Sequence, residues 1–131
     1  MNIELSNTIN EVVKFTNQHQ IDAVFQISTV DDLIGGHSYQ DSLWKKFEKK
    51  AGVYILMRAE GKNVHYVGMS EKDIGGRLFG WLFKENKVND ALVSSDIVLT
   101  ISLERQPYMS PALESYLIAQ LETNLNVMKT A

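Results

Sequence analysis

Two short apolar runs dominate the pattern of the chain. Gly52-Val53-Tyr54-Ile55-Leu56 and Val64-His65-Tyr66-Val67-Gly68 flank residues 57–63, a mostly polar stretch holding a Gly and an Asn. Runs this short, rich in β-branched and aromatic residues and broken by turn formers, predict a β-hairpin. Alternation puts Val53 and Ile55 on one face of the first strand, Tyr54 and Leu56 on the other. Pairing then brings Tyr66 close to Tyr54, and Gly68 ends the second strand where backbone can approach a ligand.

Upstream, Leu5, Ile9, Val12 and Val13 recur at helical spacing and predict an amphipathic helix over 5–18. Residues 21–27 fit a short strand or a continuing helix equally. Thr29-Val30-Asp31-Asp32 resembles a helix start that Gly35-Gly36 stops, leaving a loop up to Gln40. Leu43, Trp44 and Phe47 give the apolar stripe of a helix over 41–50. Downstream, Ser70-Glu71-Lys72-Asp73 fits a capping box for a helix beginning near Glu71, with Ile74, Leu78, Trp81 and Leu82 as its stripe. Residues 86–90 are turn-like and 96–103 form a third strand. Ser110-Pro111 opens a last helix running to about Glu122. The pattern predicts one α/β (α+β) domain with a small three-stranded, mixed or antiparallel sheet flanked by helices. Residues 1–50 are its mostly helical N-terminal extension and 51–131 its body.

Composition changes this picture in two ways. The 131 residues include no cysteine, which excludes disulfides and thiolate metal sites. There is also no apolar run of membrane-spanning length and no basic-then-apolar leader, so an intracellular, cytoplasmic location is expected. The net charge of −3 conceals an asymmetry. Residues 1–43 carry one Lys against six carboxylates, residues 44–87 ten Lys or Arg against five, and residues 88–131 two against five. The basic segment is the one with both hairpin strands, and a local basic patch draws in a polyanion. Lys45, Lys46, Lys72 and Lys84 are its candidate phosphate contacts; Lys45-Lys46 and Lys49-Lys50 read equally well as a solvated helix face.

Gly52-Val53-Tyr54 and Tyr66-Val67-Gly68 resemble the two signature triplets of the GIY-YIG nucleases, in the right order and at about the right spacing. Arg77 follows at the family's usual distance, Glu114 opens Ala112-Leu113-Glu114-Ser115-Tyr116-Leu117-Ile118 like the family's late helix, and Asn126 sits where the family has its late asparagine. The resemblance spans residues 50–129. It implies a hydrolase, a Mg²⁺-dependent (or Mn²⁺-dependent) DNA endonuclease. Tyr54 would be the general base, Tyr66 would orient water or phosphate, and Arg77 would hold the scissile phosphate. Glu114 would ligate the metal and Asn126 would brace the site. A phenol with a pKa of about 10 needs nearby positive charge to serve as a base.

Two positions depart from the family. Met69 stands where many members have Lys, and Trp81 stands where His or Tyr is frequent; indole offers a donor but no basic atom. These departures and the acidic balance favour one alternative, a catalytically weakened or inactive module binding nucleic acid or a protein partner. A nuclease used as a toxin or defence effector is a second alternative, which no residue decides. No zinc finger or helix-turn-helix reader is visible, so sequence specificity would come from a protein partner.

Overall fold

The computed structural model describes residues 3–35, 47–59, 64–121, 123 and 126. In chain order these form α1 (Ile3–Gln18), β1 (Val24–Thr29), α2 (Val30–Gly35), β2 (Gly52–Met57), β3 (Val64–Ser70), α3 (Ile74–Phe83), α4 (Lys87–Ala91), β4 (Ile97–Ser102), a 3₁₀ turn (Pro107–Met109) and α5 (Ser110–Gln120). The strands make one sheet in the order β1-β4-β2-β3, every neighbouring pair antiparallel.

β2 is apolar on both faces because both are covered. Val53, Ile55 and Met57 join Val67, Leu99 and Ile101 beneath α1 and α5, where Val12, Phe15, Leu113 and Leu117 close one core. Tyr54 and Leu56 point the other way, with Tyr66 and Val98, into a second core closed by Leu33 of α2 and by Ile74, Leu78 and Leu82 of α3. No helix among the described residues is long and apolar enough to cross a membrane.

The sheet has four strands, not the three expected, and the N-terminal extension is correspondingly less helical. Its segment Val24–Thr29 pairs with β4, Phe25 opposite Ile101 and Ile27 opposite Leu99. As an edge strand, β1 leaves Val24 and Ile27 exposed, so its burial lacks the strict alternation that would mark it in the sequence. α2 begins with a reciprocal cap, in which Asp32 N–H donates to Thr29 Oγ1 and Thr29 N–H to Asp32 Oδ2. α3 starts at Ile74, three residues later than expected. Ser70 Oγ accepts the N–H groups of Lys72 and Asp73 in a turn, and Asp73 becomes the N-cap by accepting from Gly76 N–H. Residues 86–90, expected as a turn, instead hold the start of α4, capped by Asn86.

Gly52 is required where β2 enters the sheet. Its φ is 151°, and a Cβ there would lie 2.0 Å from the Ile101 carbonyl oxygen. Near the other end of the hairpin, Leu56 pairs with Tyr66 but Met57 with Val64, which makes His65 the extra residue of a β-bulge. His65 Nε2 lies 3.2 Å from Asp96 Oδ2, and both side chains are buried. The Asp96 carboxylate also accepts Val93 N–H, so this pair ties the hairpin to the start of β4.

Candidate functional site

Tyr54 projects from β2 toward α3 and lies opposite Gly68 of β3. A Cβ at Gly68 would come within 2.4 Å of the Tyr54 ring. The group that approaches Gly68 is therefore the first tyrosine, and any larger residue would push it away. β3 itself continues to Ser70. The Tyr66 ring lies 6.3 Å from Tyr54, centroid to centroid. Trp81 of α3 packs on Tyr66 at 4.7 Å and donates its indole Nε1–H to Tyr54 Oη at 2.6 Å. Arg77, one helical turn before Trp81, is exposed.

These surroundings fix the protonation of Tyr54. Burial, foremost, pushes its pKa well above the ordinary 10.0; the indole N–H and the Arg77 charge pull it down, while Tyr66 and the Glu114 charge push it up. The phenol keeps its proton at neutral pH. That is the opposite of what a tyrosine acting as general base needs. It also shows that both Arg77 and Glu114 lie within electrostatic reach of Tyr54.

Glu114 belongs to α5 and is 8% exposed, which sets it apart from an ordinary helix-surface acid. Among the described residues no group of three or more His, Cys, Asp or Glu gathers as a metal cage. A single carboxylate nevertheless suits Mg²⁺, which keeps several of its waters and binds through one or two protein carboxylates and substrate phosphate. Glu114 fits that role by its chemistry, and its charge reaches Tyr54. Asn126 is 1% exposed, accepts Val67 N–H at 2.8 Å and donates to the Val67 carbonyl at 2.9 Å. It grips β3 between Tyr66 and Gly68.

The candidate phosphate contacts are dispersed. Lys84 shares a cleft with Arg77 and Trp81. Lys72 is exposed at the turn between β3 and α3, and Lys45 and Lys46 lie outside the described residues. Sequence reasoning missed the Trp81–Tyr54 bond and the His65–Asp96 pair. Spacing placed Trp81 near Arg77, but only the crossing of α3 over β2 brings its indole to the phenol. No family model, curated protein or solved structure matches the chain.

Proposed function

We propose that the chain is a slow Mg²⁺-dependent endonuclease of the GIY-YIG type that hydrolyses phosphodiester bonds in DNA. The observation that supports it is that the charges of an exposed arginine and a buried carboxylate both act on Tyr54, beside which the Tyr66 ring lies. Arg77 holds the scissile phosphate and offsets charge on its oxygens. Glu114 would hold the metal, which supplies further charge neutralisation there. Tyr54, neutral, orients water or phosphate as a hydrogen-bond partner and takes no proton. A positioned base typically contributes roughly 10²–10⁴ in rate, so its absence makes the reaction slow.

A second reading is a non-catalytic module that binds nucleic acid or a protein partner. The Trp81–Tyr54 bond favours it, because the indole occupies the phenol oxygen and helps leave Tyr54 only 2% exposed.

Cleavage of plasmid and branched DNA with Mg²⁺, beside Glu114→Gln and Trp81→His, separates the two. Gln keeps the volume of a buried side chain, so the fold survives while metal binding weakens. Glu114→Gln is expected to lose Mg²⁺-dependent cleavage at least about 100-fold while still binding DNA. Trp81→His frees the phenol and adds a proton carrier, with an expected gain of at least about tenfold. DNA binding without cleavage by the wild type or by folded Trp81→His establishes the second reading.

A further inference from the structure

α3 carries three glycines in ten residues: Gly75, Gly76 and Gly80. Two have neighbours that account for them. A Cβ on Gly75 would press on the Phe47 backbone at 3.1 Å, and one on Gly76 on the Asp73 carboxylate at 2.9 Å. A Cβ on Gly80 would meet nothing within 4 Å among the described residues. Glycine weakens a helix interior relative to alanine, so nothing in the packing of the described residues rewards Gly80. The missing side chain leaves open a cleft of about 310 Å³ lined by Arg77, Gly80, Trp81, Lys84, Glu85 and Asn86, among others.

The electrostatics of this cleft suit an anion, although it lies at a helix C-terminus, where the last carbonyls normally repel one. Asn86 Nδ2 donates to the carbonyls of Gly80 at 3.1 Å and Lys84 at 2.8 Å. Asn89 Nδ2 donates to those of Trp81 at 3.3 Å and Leu82 at 2.9 Å. Four carbonyls are thus covered by two amides. Arg77 and Lys84 lie two turns apart, about 10 Å along the helix axis. That span lets the two cations reach different phosphates of one strand. Trp81 is the cleft's wall, its N–H already turned inward to Tyr54.

We propose that this cleft seats the sugar-phosphate backbone of one DNA strand beside the scissile position. Arg77 takes one phosphate, Lys84 takes another farther along the same strand, and Gly80 stays bare so that the strand can lie against the helix. The proposal rests on the nucleic-acid reading above. It makes Gly80 a residue kept for the ligand at the expense of the helix.

The test measures thermal stability and affinity for a short DNA duplex on the same proteins. Gly80→Ala and Gly80→Gln are expected to raise the melting temperature by about 3 °C, since both are better helix formers and meet no neighbour. Gly80→Gln is expected to lose at least about tenfold in affinity, with Gly80→Ala intermediate. Lys84→Gln should reduce the log–log salt slope by about one unit, and Glu85→Gln should tighten binding by removing an acid beside the phosphates. If Gly80→Gln melts higher but binds within about twofold of wild type, the cleft holds no strand, although the nucleic-acid reading stands. If Gly80→Gln melts lower, Gly80 is structural and the inference is overturned. If wild type binds no duplex, the inference and the nucleic-acid reading fall together.

Discussion

At Tyr54 the balance of forces is open to measurement. The unfolded phenol ionises near pH 10.0, whereas burial raises the pKa of the folded one. The unfolded state therefore gives up its proton first, and the stability held by neutral Tyr54 is fully present below that pH. It is lost as pH rises toward the folded pKa, at up to about 1.4 kcal/mol per pH unit. Tyr54→Phe removes this dependence. At neutral pH the variant also loses the indole hydrogen bond, about 1 kcal/mol. Denaturant unfolding at about pH 9 and about pH 11 is expected to show a steeper loss for wild type than for Tyr54→Phe. Tyr116, whose pKa its hydrogen bond to Glu11 raises, is present in both proteins and drops out of the comparison. Parallel curves would contradict the burial argument. The same residue marks a limit of sequence reading. The triplet identified Tyr54, but its pKa is governed by desolvation under α3, which no local motif encodes.

At the scale of elements, β3 poses the problem of every edge strand, with backbone groups pointing away from the sheet. Asn126 answers it at Val67 by taking both the N–H and the carbonyl, as a ladder partner would. Farther along, Thr123 bridges to Val64 in parallel. Asn126→Ala leaves two buried groups unpaired and is expected to destabilise by about 2–4 kcal/mol. Asn126→Asp should not rescue it, because a carboxylate cannot donate to the Val67 carbonyl. Amide exchange at Val67 would rise in Asn126→Ala, whereas the carboxylate of Asn126→Asp still accepts that N–H. A melting temperature equal to wild type would show that β3 is held by something else. The hairpin and β4 were legible because each is an apolar run bounded by turn formers within about ten residues. α5 was legible from Ser110-Pro111, although Ser110 is its first residue and not its cap, Met109 standing at the N-cap with no side-chain hydrogen bond. β1 was not, since its partner β4 is about 70 residues away and its position at the edge erases the alternation. The onset of α3 was misplaced because Ser70 and Asp73 share the capping between a turn and the helix.

For the molecule as a whole, the decisive property is where its charge sits. The net-positive residues 44–87 include β2, β3 and α3, the elements that carry Tyr54, Tyr66 and Arg77, while residues 1–43 and 88–131 are net negative. An approaching polyanion is drawn to one part of the surface and repelled elsewhere, which orients it before any specific contact forms. DNA affinity is therefore expected to fall steeply with salt, each lost phosphate contact lowering the log–log slope by about 0.9. Lys14 supplies the control: it is exposed on α1, across the sheet from α3, and paired with Glu11 at 3.2 Å. Lys14→Gln should leave the slope unchanged, whereas Lys45→Glu combined with Lys46→Glu should lower both slope and affinity. If the double variant binds like wild type, that end of the basic segment takes no part and recognition is confined to α3 and the hairpin. Binding that ignores salt altogether would remove the polyanion from the account, and with it any role for the ten basic residues of the segment 44–87.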